Sequence, residues 1–354
     1  MGGAHIRLPA AGASGKVTLE DVAREAGVSL ATADRVVNKR PGVRDRTVAR
    51  VEAVVAKLGY RPDFSAARLA RNRSYRFAYI LPVGDNPFMA DLAEQVRLSS
   101  VWLAAQRAFI DTLHVDVFDP DVLSRALEQL PPVYDGVAVV ALDHPRVRIA
   151  IDELAQRGVV VVTLVSDVPS SRRLHYVGID NPAAGRTAGT LMGKYLRGQT
   201  GKIGIIAGSL ALRDHAERQF GFNQVLSGEY PNLTVLAAVE GRDDSALTKP
   251  ATERLLSENP DLIGLYNVGA GNRGIAAALE AAGRERDVVW IGHELTPHTR
   301  RFVARGVLDT IINQNAGHEA RSAGRILLAR CSGEPILADQ ETIRIDIFVR
   351  DNLP

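Results

Sequence analysis

A chain of 354 residues, 46% hydrophobic and 24% charged, is long enough for more than one domain and too apolar for a disordered or low-complexity polypeptide. Its single cysteine, Cys331, excludes an intrachain disulfide and fits a reducing compartment. The net charge of +2 conceals a split: residues 1–76 hold 15 Lys and Arg against 7 Asp and Glu, whereas residues 77–354 hold 28 against 34. A basic head on a mildly acidic body fits a phosphate-binding module joined to a part that does not bind nucleic acid.

Residues 1–15, MGGAHIRLPAAGASG, lack the continuous apolar core of a signal peptide, and Ile6 stands where a myristoylation signal needs Ser or Thr. A disordered tail is expected there. The longest apolar runs, such as GVVVVTLV at 158–165, are too short to span a bilayer. A soluble, cytoplasmic protein without a membrane partner is expected.

Residues 18–38, TLEDVAREAGVSLATADRVVN, read as a short helix, a tight turn and a second short helix. Thr18 caps the first helix, with Asp21 three residues on to complete a capping box. Val22, Ala23 and Ala26 recur at helical spacing, and Gly27 suits a left-handed turn position because it has no Cβ. Ser29 caps the second helix, which turns Ala33, Val36 and Val37 inward and Leu30, Ala31, Asp34, Arg35 and Asn38 outward. A short helix offering side chains outward suits the major groove of DNA. A third amphipathic helix follows, with Val48, Val51, Val55 and Leu58 on one face and Gly59 at its end. Then comes YRPDFSAARLARNRS at 60–74.

The ordered run of helix-turn-helix, third helix, Tyr-x-Pro and basic segment from Val17 to Arg71 resembles the LacI family of bacterial transcription regulators. The resemblance implies a DNA-binding domain over 16–62 and a hinge helix with linker over 63–74. It implies DNA contacts from Thr18, Ser29, Leu30, Ala31, Thr32, Asp34, Arg35 and Asn38, and a minor-groove wedge from Leu69. Arg35 is the best base reader, because guanidinium can bond guanine O6 and N7 together. Asp34 stands where many family members carry Ser. It either accepts from a cytosine amino group or pairs with Arg35 or Arg40 and orients them.

From Arg76 the texture changes. RFAYILPV, YDGVAVVAL, GVVVVTLVSD, GKIGIIAGS, DLIGLYNVG, DVVWIGHE and LDTIINQN read as buried strands, with amphipathic segments such as 182–197 and 271–282 between them. Repeated β-α units imply parallel sheets covered by helices, and their number exceeds one comfortable sheet. Two doubly wound subdomains are therefore expected. This body resembles the periplasmic-binding-protein type I fold that LacI-family regulators carry behind their heads. The stations are NPF at 86–88, YVGIDN at 176–181, Arg218 before Gly221 and Phe222, IGHE at 291–294 and INQN at 312–315. The resemblance implies an effector-binding domain over 75–354, with the chain crossing between subdomains near 171, 297 and 332. Subdomain one would then hold about 75–171 and 298–331, and subdomain two about 172–297 and 332–354.

Ligands of such folds sit at the carboxyl ends of strands. Asn86, Asp143, Asp167, Arg218, Asn267, Glu294 and Gln314 fall just after apolar runs or at the stations above. Their carboxylates, amides and guanidinium can pair with hydroxyls, and Phe88 can lie against the apolar face of a sugar ring. Glu294 departs from the Asp usual at its station.

Two motifs point elsewhere. Gly269-Ala-Gly271-Asn-Arg-Gly274 follows a strand and opens a helix, with Glu294 twenty residues on, as a dinucleotide fingerprint would. It lies deep in the chain and lacks a companion catalytic acid or base. His293-Glu294-Leu-Thr-Pro-His298 spaces its histidines five apart across Pro297, where two zinc ligands on one helical face need four. The expected molecule is a non-enzymatic homodimer without metal or cofactor. It would bind palindromic operator DNA in the nucleoid under control of a small sugar, polyol or inositol-like effector. An NAD-linked oxidoreductase using the glycine loop, and a sugar receptor with no regulatory role, are the alternatives.

Overall fold

The computed structural model describes residues 17–60, 73–84 and 86–354. The expected tail over 1–15 and hinge helix over 63–71, Leu69 included, lie outside the described residues. The chain divides into two units, residues 1–72 and 73–354.

The first unit contains α1 (Leu19–Ala26), α2 (Leu30–Val37) and α3 (Asp45–Leu58). Thr18 and Asp21 form the reciprocal capping box, and Gly27 turns the chain at φ +63°. Ser29 caps α2 by accepting from the Thr32 amide. Val22, Ala26, Val36 and Val51 form the small core, with Val48, Val55 and Leu58 against it. Val37 is only half-buried, since eight residues of α2 present too narrow a stripe to hide three side chains.

The second unit is built on two sheets. The first has strand order β2-β1-β3-β4-β5, all parallel: β1 (Tyr75–Pro82), β2 (Ala108–Val115), β3 (Gly136–Val139), β4 (Val160–Leu164) and β5 (His175–Val177). Its helices are α4 (Pro87–Ala105), α5 (Pro120–Glu128) and α6 (Pro145–Gln156), each opened by a proline in its first turn. After α7 (Asn181–Tyr195) the second sheet begins with β6 (Gly201–Ala207). It adds β7 (Leu233–Val235), β8 (Val239–Glu240), β9 (Leu262–Asn267), β10 (Val289–His293) and β11 (Thr310–Asn313). Between them lie α8 (Arg213–Glu229), α9 (Ser245–Glu258), α10 (Asn272–Ala281) and α11 (Pro297–Arg305). β12 (Asp346–Phe348) pairs antiparallel with β11, so this sheet is not wholly parallel. β2, β7 and β12 escape the reading of buried runs because they are edge strands, half-exposed and alternating.

All three crossings fall later than the sequence suggests. β5 still pairs with β4, so the first follows residue 177, and 168–174 is a loop within the first half. α11 and β11 belong to the second sheet, so the second crossing lies between Asn313 and Ala316. Pro297 reads as a break, yet it is the first residue of α11. α12 (Ala316–Ser332) packs back on β3, β4 and α4, and the Tyr79 hydroxyl donates to the Ala320 carbonyl at 3.1 Å. The short α13 (Ala338–Glu341) stays with it through the Glu341–Arg325 ion pair, so the third crossing follows 341.

α7 and α8 meet at backbone distance. A Cβ on Gly185 would stand 2.0 Å from the Arg218 carbonyl oxygen, and one on Gly221 would stand 2.2 Å from the Pro182 carbonyl oxygen. Phe222, one residue on, stacks on Tyr266 of β9 at 4.5 Å between ring centres. This close approach fixes the face of α8 that carries Arg218. Gly185→Ala gains about 1 kcal/mol of helix propensity, but overpacking costs about 1–3 kcal/mol, so the clash prevails. The melting temperature of the variant should fall by several degrees in calorimetry. An unchanged or raised value would contradict backbone contact between α7 and α8.

Candidate functional site

On the first unit, α2 leaves Leu30, Ala31, Arg35 and Asn38 exposed and Thr32 half-exposed. The Ser29 and Thr32 hydroxyls bond each other at 2.8 Å. Asn38 caps the end of α2, donating to the Asp34 carbonyl at 3.0 Å and carboxylate at 2.8 Å. Arg40 reaches the other Asp34 oxygen at 3.1 Å. Of the two readings open for Asp34, the geometry is that of pairing with Arg40. Among the described residues no carboxylate engages Arg35.

In the second unit the carboxyl ends of the two sheets face each other across a cleft. It is lined by the start of α4, the turn after β4, the first two turns of α8 and the segments after β8, β9, β10 and β11. Of the residues singled out in the sequence, Asn86, Phe88, Arg218, Glu294 and Gln314 line it. Asp143, Asp167 and Asn267 do not. Asp143 pairs with Arg213 at 3.1 Å, from one half of the body to the other. Asp167 holds Arg173 with both oxygens and accepts from the Thr163 hydroxyl. Asn267, fully buried, donates to Gly269 and Ala270 carbonyls and to the Asn272 amide oxygen, bracing the loop after β9. All three are strand-end polar residues, but their neighbours consume their bonding capacity, which strand position alone does not reveal.

The lining also includes Asp214, Ser166, Asp243 and Asn272. Asp214 and Arg218 stand four apart on one face of α8, a spacing visible in RDHAER. Ser166 follows β4, Asp243 follows β8, and Asn272 opens α10. Three non-glycine residues in the lining hold left-handed backbone: Val165 at φ +65°, Asp243 at +59° and Glu294 at +68°. A branched side chain such as Val165 pays about 1–3 kcal/mol for this conformation. No sequence pattern announces it.

The decisive feature is how Arg218 is held. It is 2% exposed. Its Nε donates to Asn181 at 2.8 Å and one terminal nitrogen donates to the Val268 carbonyl at 2.8 Å. The other terminal nitrogen, Nη2, makes no hydrogen bond and stands 3.9 Å from the Glu294 carboxylate. Glu294 instead accepts from the Gln314 side-chain amide at 2.8 Å. Ser166 Oγ, Asp214 Oδ1, His293 Nδ1 and Gln314 Oε1 are likewise buried without partners, and all belong to lining residues. Buried polar groups are normally bonded, so a convergent set of bare ones marks a place prepared for a polar guest.

The glycine loop is arranged differently from a pyrophosphate cradle. A Cβ on Gly269 would meet the Asp243 carboxylate, and one on Gly271 or Gly274 would meet Thr248. The Ala270 amide already donates to Asp243 at 2.8 Å, so a carboxylate occupies the place a phosphate would need. The glycines serve close packing of α9 on α10. His293 of the His-Glu-Leu-Thr-Pro-His segment is fully buried, with Nε2 bonded to the Tyr266 hydroxyl at 2.8 Å.

Burial raises the Glu294 carboxyl to about 7, against the opposing pull of Arg218 and the Gln314 bonds. The folded state therefore holds this proton where the unfolded chain has lost it. The associated stability is complete below the ordinary glutamate range near 4.5 and is lost as pH rises toward 7. Glu294→Gln should remove a decline on the order of 2–3 kcal/mol between pH 4.5 and 7.5. Parallel denaturation curves for the two proteins across that range would show that Glu294 does not titrate in this way.

Comparison with known proteins places both units. Residues 18–63 match the signature of bacterial regulatory proteins of the lacI family, and residues 77–335 match that of a periplasmic binding protein domain. The chain is 44% identical over 80 residues to catabolite control protein A of Priestia megaterium, a match spanning 23% of this chain and 24% of that protein. It is 26% identical over 257 residues to the HTH-type transcriptional regulator DegA of Bacillus subtilis, covering 71% and 73% of the two chains. A glucose-galactose binding protein from Geobacillus stearothermophilus superposes with a TM-score of 0.72 at 21% identity, over 80% of this chain and 99% of that one. At that identity the likeness concerns the fold. Helix-turn-helix head, two-sheet body and relatives agree: the chain belongs to the lacI family of bacterial regulatory proteins, with a periplasmic binding protein domain as its body.

Proposed function

We propose that the protein is a homodimeric transcriptional repressor of the bacterial cytoplasm whose affinity for a palindromic operator is controlled by a small sugar or polyol bound in the cleft. The observation that carries the effector is the set of buried, unpartnered polar atoms, Arg218 Nη2 among them, on residues that line the cleft. Hydroxyls each offer one donor and accept as well, so a polyol can satisfy several of these atoms at once. Phe88, buried at the cleft wall, offers an apolar surface for a ring face. The head supplies the DNA reader: Arg35 and Leu30 project from α2 for base edges. Ser29, Thr32 and Thr18, at or beside helix N-termini, stand where phosphate contacts set register. Asp34 orients Arg40 and Asn38 and does not read a base. Leu69 wedges between base steps.

Contacts already join the halves of the body across the cleft. Asn86 donates to Asp243 at 3.3 Å, Arg213 pairs with Asp143, and the Arg242 guanidinium lies 5.8 Å from the Phe118 ring centre. An effector that binds this arrangement better than an open one shifts the population toward it, and the DNA-bound dimer feels that shift only through such differential affinity.

Thermal-shift screening of the full-length protein against hexoses, pentoses, hexitols and inositols tests the effector class. A member that raises the melting temperature in proportion to log concentration supports it. A screen in which no polyol does so, while a nucleotide or amino acid does, contradicts it. For the head, Arg35→Ala should weaken operator binding by about 1–3 kcal/mol and random DNA by less. Equal losses on both sequences would make Arg35 a phosphate contact.

A further inference from the structure

The bare atoms of the cleft are unequal in kind. Asp214 Oδ1 only accepts. Gln314 Oε1 also only accepts, being the amide oxygen, while its Nε2 donates to Glu294. Ser166 Oγ can do either, as can His293 Nδ1 according to its tautomer. Arg218 Nη2 is a donor only, and it already faces Glu294. The charges are unequal too. Asp214, Glu294 and Glu319 are 4%, 7% and 0% exposed, and Arg218 is the only buried Lys or Arg among the described residues of this unit. Glu319, on α12, has both oxygens without a partner, and burial, reinforced by Glu294 and Asp214 and opposed by Arg218, raises its carboxyl well above the ordinary glutamate range. Buried carboxylates in such excess are tolerated only if protons or an outside cation balance them.

We propose that the effector is a polyhydroxylated compound bearing a protonated amine, seated with its ammonium toward Asp214 and Glu294 and its hydroxyls toward Arg218, Gln314 and Ser166. This rests on the reading of the cleft as a polyol site and narrows it. An ammonium brings three donors and no acceptor, which matches the surplus of bare acceptors. It also brings a positive charge that takes the place of the proton burial otherwise keeps on Glu294 up to about 7. A phosphate or carboxylate on the ligand would bring only acceptors and would meet the same acids across a desolvated gap.

Proton linkage sharpens the expectation. Glu294 faces Arg218 and Asp214 of α8, Gln314 after β11, Glu319 of α12 and its own neighbour His293. Burial keeps that imidazole uncharged by pulling it well below its ordinary value. The carboxylate of Glu294 must be ionised to hold an ammonium, so binding of an amine strengthens as pH rises from 5.5 to 7. Over that range an amine near the α-amino value of about 7.7–8.0 stays charged.

The test is calorimetric titration of the full-length protein with D-glucosamine and D-galactosamine, each beside its parent hexose, its N-acetyl derivative and its 6-phosphate. The expected result is at least one amine bound about tenfold more tightly than its parent and N-acetyl forms. Its affinity should rise with pH between 5.5 and 7 in the wild type, and Glu294→Gln should show neither the preference nor the rise. If a parent hexose binds as well as or better than its amine, the cationic ligand is wrong and the polyol cleft stands. If a 6-phosphate is the tightest ligand, the charge argument fails outright. If no compound of the panel binds, the amine preference is overturned, and the polyol reading falls with it only if the pentoses, hexitols and inositols also leave the melting temperature unchanged.

Discussion

A buried guanidinium with one unspent arm is the constraint on which the cleft depends. Arg218 is tied to Asn181 at the start of α7 and to the carbonyl of Val268 just after β9, so two separate elements fix a guanidinium whose third nitrogen is left without a hydrogen bond. Taking such a charge out of water is tolerable only with opposite charge nearby and filled donors. Glu294 at 3.9 Å and Asp214 one turn away supply the charge, but the final hydrogen bond is left open. The close backbone approach of α7 to α8 through Gly185 and Gly221 leaves this arm little freedom to retreat. A site held this rigidly loses little entropy when a ligand arrives, which favours affinity and selectivity over breadth.

The same constraint organises the surroundings. Left-handed backbone at Val165, Asp243 and Glu294 places three lining segments against the cleft at the expense of local strain. Leu212, from the second half, is buried in the apolar core of the first. With the Asp143–Arg213 pair beside it, the closed arrangement has its own apolar and ionic contacts. Surface ion pairs contribute at most about 1 kcal/mol each, so burial of Leu212 is the larger of the two contributions. The two halves are therefore held together in part by the protein's own contacts.

Much of this was legible in the residue order because the signals are local. The capping box at Thr18 and Asp21, the turn at Gly27 and the buried runs of β1, β3, β4, β6, β9 and β10 declare themselves by short-range chemistry. Five of the eight expected lining residues line the cleft because strand ends in doubly wound sheets converge by topology. What stayed hidden is tertiary. Asp143, Asp167 and Asn267 are spent on partners 70, 6 and 2–5 residues away, and nothing in their own neighbourhood separates them from Asp214 or Asp243. The crossings were misplaced because Pro297 and the 168–174 loop carry turn chemistry without changing sheets. Edge strands such as β2 lack a continuous apolar run and are recognised only by their pairing.

The account stands on coupling between the bare arm of Arg218 and the DNA-reading head. The direct measurement is operator affinity with and without a saturating effector, made in parallel for wild type and Arg218→Lys. Lysine keeps the charge but lacks the rigid planar fork that directs separate nitrogens to Asn181, the Val268 carbonyl and a ligand hydroxyl. The account predicts equal operator affinity for the two proteins without effector, and an effector-driven change of fivefold or more that is present in the wild type and absent in the variant. An undiminished response in Arg218→Lys, at effector concentrations that saturate neither protein differently, would contradict it.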